Sequence, residues 1–121
     1  NKFCWQAATG QPLTVWSTAQ NQKRPYLALS DAIGVITYFM KKKLYDQETY
    51  NVLTENLTVD SIIKTIGELI PQININHVDS EIMNQLSYEV SNQKISKAGF
   101  QFTGSIRENI FNTINLLQFK N

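Results

Sequence analysis

Short β-rich runs that alternate with stretches of helical period predict a small α/β domain. Three observations carry this expectation. Residues 13–16, the run that opens at Arg24, and residues 49–53 and 73–78 have strand composition. Residues 31–43, 59–70 and the stretch opening at Ser105 place apolar side chains at helical spacing. No internal repeat or low-complexity segment interrupts that order, and 121 residues suffice for one core.

Residues 2–9 read as a short helix closed by Gly10, with Pro12 beyond it as a stop. Leu13-Thr14-Val15-Trp16 follows as a strand, and residues 17–23 form a polar loop. In Arg24-Pro25-Tyr26-Leu27-Ala28-Leu29-Ser30-Asp31-Ala32 a basic residue enters a short apolar strand. That strand runs directly into a helix capped by Ser30 or Asp31. The helix is expected to bury Ala32, Val35, Ile36 and Phe39 and to end in Lys41-Lys42-Lys43, which suits a helix C-terminus. Asp46-Gln47-Glu48 reads as a turn and residues 49–53 as a second buried strand. Thr58 is expected to cap a helix that faces Ile62, Ile63, Ile66 and Ile70 inward and stops at Pro71. Residues 73–78 alternate, as in a strand with one wet face, whereas residues 79–86 show no period. Ser91 is read as the cap of a short helix ending at Gly99. Ser105 and Glu108 form a capping box that opens a last helix with Ile106, Ile110, Ile114 and Leu117 on one stripe.

Composition narrows the function classes. Eleven basic and ten acidic residues leave a net charge of +1, so bulk electrostatics does not drive binding to nucleic acid or an anionic membrane. No apolar run approaches the length of a membrane span, and no signal peptide is visible. The single cysteine, Cys4, excludes an internal disulfide and a cysteine zinc site and fits a reducing, cytoplasmic compartment. Within its helix Cys4 is expected to be a buried small hydrophobe. The chain opens on Asn1 rather than Met, with residues 1–6 reading as a helix already under way. A longer parent chain is therefore expected.

Few motifs carry chemistry. Tyr38 and Lys42 stand at the Tyr-x-x-x-Lys spacing in which a lysine lowers a tyrosine pKa for base catalysis. We read the match as coincidental, because it closes a helix whose apolar face is core and no dinucleotide-binding fold precedes it. His77 cannot assemble a metal site with the distant Cys4 and is expected to be half exposed. Asn56-Leu57-Thr58 matches a glycosylation acceptor, but Thr58 is better explained as a helix cap. The five glycines are scattered and form no phosphate loop, and no Ser/His/Asp arrangement can be assembled. Arg24 remains. Its always-charged planar fork can hold a phosphate from the side of a cleft or make an ordinary surface ion pair.

The order of these pieces carries a resemblance. A helix leads to Gly10-Gln11-Pro12-Leu13-Thr14-Val15-Trp16, then the Arg24–Ala32 segment, then Tyr50-Asn51-Val52 and Leu57-Thr58-Val59. Lys94-x-x-Lys97-Ala98-Gly99-Phe100 and a closing amphipathic helix complete it. This order resembles the C-terminal, substrate-binding part of the NAD-dependent epimerase/dehydratase family. Its members are extended short-chain dehydrogenase/reductases such as UDP-glucose 4-epimerase and dTDP-glucose 4,6-dehydratase. The resemblance implies a single substrate-binding domain over residues 1–121. It also implies an N-terminal Rossmann domain of the same parent chain that holds NAD and the catalytic Tyr-x-x-x-Lys pair. No cofactor is expected on this chain, which alone should be inactive. The expected partner is a nucleotide-sugar substrate: Arg24 stands at the family's diphosphate-binding arginine, and Trp16 at the aromatic beside the nucleobase. Tyr26 is expected to line the same cleft or simply to pack, and Trp16 has the alternative role of a lid over the core. Asn1 and Lys2 fall where the family chain passes the diphosphate.

Two departures stand out. Many members carry a second diphosphate arginine where this chain reads Asp79-Ser80-Glu81-Ile82-Met83-Asn84-Gln85-Leu86-Ser87-Tyr88, without Arg or Lys; Gln85, Ser87 or Tyr88 are candidate neutral donors. The Asp-Tyr that commonly follows the first arginine is here Pro25-Tyr26. A reductase lobe for a non-nucleotide carbonyl substrate and a stand-alone, non-catalytic binding module are the alternatives. An isolated lobe would expose the surface that packs on the Rossmann domain, so self-association is expected.

Overall fold

The computed structural model describes residues 2–44, 46–79 and 87–118. Among these residues nine elements follow in chain order: α1 (Lys2–Ala8), β1 (Leu13–Trp16), β2 (Lys23–Tyr26), α2 (Leu29–Lys42), β3 (Glu55–Thr58), α3 (Val59–Leu69), β4 (Ile75–Val78), α4 (Gln93–Lys97) and α5 (Ile106–Gln118). The strands form two small sheets. β1 and β4 run parallel with Leu13 opposite Ile75, and β2 and β3 run antiparallel with Arg24 opposite Leu57. The chain is thus the expected small α/β lobe of short strands and helices.

Two apolar clusters hold the lobe together. The larger lies between α1, α3, α5 and β1 and contains Leu13, Val15, Ile62, Ile63, Ile66, Ile106, Ile110 and Ile114. The six isoleucines are positions that the helical spacing of α3 and α5 assigns to one face. The smaller joins α2 to α4 through Val35, Ile95 and Phe100, walled by aromatic rings in edge-on contact. Tyr38 belongs to this second cluster: its hydroxyl donates to the Ala98 carbonyl at 2.6 Å, a packing role. Gly34 allows the Phe100 ring to approach, since an added Cβ would lie 3.3 Å from it.

Helix ends follow local chemistry where the side chains permit. Thr58 caps α3 in a reciprocal box with Ser61, and Ser105 Oγ accepts the Glu108 amide at the start of α5. Gly10 and Gly99 take positive φ after α1 and α4, where an L side chain would be strained.

Several expectations are corrected. α2 begins at Leu29 with Ala28 as its N-cap, so neither Ser30 nor Asp31 caps it. Ile36 lies outward, and the inner face is carried by Asp31 and Val35 with Tyr38 and Phe39 beside them. Residues 49–53 form no ladder among the described residues; the strand is Glu55–Thr58. β4 lacks the expected alternation: Ile75, Asn76 and His77 are all exposed, because among the described residues β1 is its sole strand neighbour and no helix packs closely on it. α4 has Asn92, not Ser91, at its N-cap. The Asn56 side chain exchanges two hydrogen bonds with the Val90 backbone, which gives it a structural role. Among the described residues no group of acidic, histidine or cysteine side chains could hold a metal, and no helix is long and apolar enough to cross a membrane.

Candidate functional site

The site grows out of the β1 and β2 strands. Side chains two apart on a strand share a face. Arg24 and Tyr26 therefore point the same way from β2, and Thr14 and Trp16 the same way from β1. α1 brings Lys2, Phe3 and Cys4 against them, α3 brings Val59 and Ile62, and α5 brings Ile106, Asn109, Ile110 and Thr113 on one helical face. Together they enclose a cleft of about 460 Å³.

Lys2, Trp16, Arg24 and Tyr26, four of the five residues singled out from the sequence, thus line one cleft. The fifth, Asn1, lies outside the described residues, as does Gln85. The lining carries the two cations Lys2 and Arg24 and, among the described residues, no carboxylate.

Arg24 is held in place. Its Nη1 donates to the Lys23 carbonyl at 2.7 Å and its Nη2 to Gln22 Oε1 at 2.8 Å, and the guanidinium lies 5.0 Å from the centre of the Tyr88 ring. The segment carrying Tyr88 is zipped to β2: the Tyr88 amide donates to the Lys23 carbonyl, and Ser87 Oγ accepts the Lys23 amide. Ser87 Oγ, as an acceptor, and Tyr88, through its amide and ring, thus help seat the arginine strand. Trp16 is 42% exposed, so it borders the cleft and does not seal the core.

Two titratable groups in the wall are shifted. Burial pushes the Tyr26 phenol above its ordinary value, against the opposing pull of the Arg24 charge. Burial likewise raises the Cys4 thiol, which therefore stays protonated at neutral pH and behaves as the expected small hydrophobe. The cleft thus combines an apolar, neutral wall with cationic side chains, an arrangement suited to an uncharged ring system joined to an anion.

Sequence reasoning missed Asn109, Gln22 and the Arg24–Tyr88 contact. Asn109 left one faint signal, a polar residue interrupting the inward stripe of α5 between Ile106 and Ile110.

No family model and no curated protein matches the chain. Solved structures do. A partial consensus L-threonine 3-dehydrogenase superposes with a TM-score of 0.80 at 20% identity, over 98% of this chain and 41% of the other. A GDP-D-glycero-L-gluco-heptose synthase from Campylobacter jejuni, solved in the presence of NADPH, superposes with a TM-score of 0.60 at 16% identity. That match covers 89% of this chain and 33% of the synthase. The chain therefore shares the fold of a part of these larger proteins and spans well under half their length.

Proposed function

We propose that this chain is the substrate-gripping lobe of an NAD-dependent epimerase or dehydratase that acts on a nucleotide sugar. Arg24 and Lys2 hold the diphosphate, Trp16 lies against the base, and Tyr26 lines the same space. One observation carries the reading: Lys2, Trp16, Arg24 and Tyr26, at the positions the resemblance gives to substrate contacts and contributed by three different elements, line a single cleft with two cations and no described carboxylate. The fold shared with a GDP-heptose synthase supports it. Asn1 belongs with the phosphate contacts in the same reading.

The parent reaction in this reading is transient oxidation of the sugar at C4 by NAD, followed by re-reduction or elimination. The residues of this chain do not fit the dinucleotide, since no glycine-rich turn leads from one of its strands into a helix. NAD is assigned to an N-terminal Rossmann domain of the parent. The lobe's contribution is grip and orientation, which lower the barrier by fixing the reacting sugar in place. The outward stripe of α2, formed by Leu29, Ile33, Ile36 and Met40, is the surface we assign to packing on that domain.

The test is calorimetric titration of the chain with UDP-glucose, dTDP-glucose and a GDP-sugar. Arg24→Ala is expected to weaken binding by about tenfold or more, the cost of a lost charge-assisted contact. Unchanged affinity would sink the Arg24 assignment. A second reading, a reductase lobe for a small non-nucleotide carbonyl compound, is favoured by the higher TM-score to an L-threonine 3-dehydrogenase. A substrate panel with and without the nucleotide separates the two.

A further inference from the structure

Most polar side chains of the cleft wall are already paired within the protein. Gln22 accepts from Arg24 and donates to the Thr18 carbonyl. Thr14 Oγ1 accepts from Gln6 Nε2 at 3.0 Å, and Thr113 Oγ1 donates to the Asn109 carbonyl at 2.7 Å. Two groups differ. Neither the Asn109 side-chain amide nor the Tyr26 hydroxyl hydrogen-bonds any described residue, although both are half-buried in this wall. Among the described residues no buried side-chain polar atom lacks a partner, so both groups reach the solvent of the cleft, where their donors and acceptors are open to a ligand.

The two groups approach from different elements. Tyr26 faces Glu55 across the β2–β3 ladder, and Glu55 Oε1 accepts the Ile106 amide at the start of α5 at 3.4 Å. That bond brings the first turns of α5, which carry Asn109, against the Tyr26 end of β2. Arg24 lies about 7 Å back along the same strand face. Ile106 and Ile110 from α5 and Val59 and Ile62 from α3 give this wall most of its surface, with the paired Thr113 one turn on from Asn109. A sugar would leave many hydroxyls unpaired against such a wall, whereas a planar heterocycle presents apolar faces and one polar edge.

We propose that Asn109, with Tyr26, is the base-selecting residue of this cleft: its amide reads the hydrogen-bonding edge of a nucleobase whose diphosphate reaches Arg24. The proposal rests on the nucleotide reading above. An amide offers one acceptor and a donor side by side, the pattern that pairs with adjacent donor and acceptor atoms on a base edge.

The experiment compares the chain with Asn109→Leu and Asn109→Asp by calorimetric titration. The probes are UDP, CDP, GDP, ADP and base-free inorganic pyrophosphate, with circular dichroism and melting as folding controls. The wild-type chain is expected to bind its preferred nucleoside diphosphate at least tenfold more tightly than pyrophosphate. Asn109→Leu is expected to lose about tenfold of that margin while keeping its pyrophosphate affinity. Asn109→Asp, which only accepts, is expected to move preference by about tenfold towards guanine, whose edge carries two adjacent donors. If Asn109→Leu fails to fold, the Asp variant decides. A base margin that survives Asn109→Leu, or an Asp variant with unaltered preference, overturns the proposal alone. Pyrophosphate binding with no gain from any base also overturns it and leaves the anion site standing. No binding of any probe by the wild-type chain overturns the nucleotide reading and this proposal with it.

Discussion

Replacing Asp31 by alanine should come close to unfolding this lobe. The residue is 2% exposed and joins three segments. Its Oδ1 accepts the amides of Thr103 and Gly104, each at 3.0 Å, and its Oδ2 accepts the Thr54 hydroxyl at 2.6 Å. Thr54 Oγ1 in turn accepts the Ala28 amide at 2.8 Å, at the N-cap of α2. One carboxylate therefore ties the start of α2 to the approach to β3 and to the loop before α5. Hydrogen bonds to a charged partner contribute about 1.5–3 kcal/mol each. A plain sum of three overshoots, because the truncation also removes a buried charge that was costly to desolvate. What remains is two backbone amides and a hydroxyl stripped of their acceptor, which places the loss at roughly 3–5 kcal/mol. That is a large share of the roughly 5–15 kcal/mol that holds an ordinary domain together. Asp31→Asn keeps Oδ1 for the two amides and turns an NH2 towards Thr54, which already accepts from Ala28. It should cost about 1–2 kcal/mol. Urea unfolding followed by circular dichroism measures both. With a slope of about 1–3 kcal/mol per molar, the alanine variant should move the midpoint by about 1–5 M. A loss below about 1 kcal/mol for Asp31→Ala would refute the reasoning.

Three other outcomes are expected. Gly104→Ala should destabilise strongly, since its Cβ would stand 2.5 Å from the Ala28 Cβ and 2.6 Å from Asp31 Oδ2; a melting temperature within a degree of wild type would contradict it. In alkali, Cys4 and Tyr26 should make stability fall. Burial raises both groups above their unfolded values of 9.0 and 10.0, so their contribution is intact below pH 9 and is lost as pH rises through the raised folded values. Cys4→Ala should flatten the slope of stability against pH above 9, and an unaltered slope would rule the thiol out. Finally, the chain should self-associate through α2, where Leu29, Ile33, Ile36 and Met40 are 58–69% exposed at spacings of four, three and four. Ile36→Glu should shift sedimentation towards monomer, and a wild-type chain that is strictly monomeric at high concentration would count against the idea.

Local chemistry made much of the lobe legible in the sequence. α3 and α5 follow from isoleucines at helical spacing, and the Thr58 cap and the glycines after α1 and α4 follow from interactions within one turn of chain. β1 was legible because its residues suit a pleated, half-buried surface. Where stability comes from a distant partner, the sequence pattern misled. Glu55-Asn56-Leu57-Thr58 has little strand character and forms β3 because β2 supplies the ladder, while the β-rich run at 49–53 has no ladder partner among the described residues. The outward turn of Ile36 and the exposure of β4 were decided in the same way, by which faces the rest of the chain covers.

Lys2, Trp16, Arg24 and Tyr26 were each nameable from sequence. That they line one cleft, that Tyr88 lies against the arginine, and that Asn109 enters the wall from the far end of the chain were not. The sequence by itself determined the helices, the Thr58 cap and the residue types able to hold an anion and a ring, because those depend on neighbours along the chain. The tertiary structure alone decided the strand pairing, the Asp31 junction and the convergence of the cleft. Each of these is set by contacts between residues far apart in sequence, whose free energy exists only once the intervening chain has closed around them.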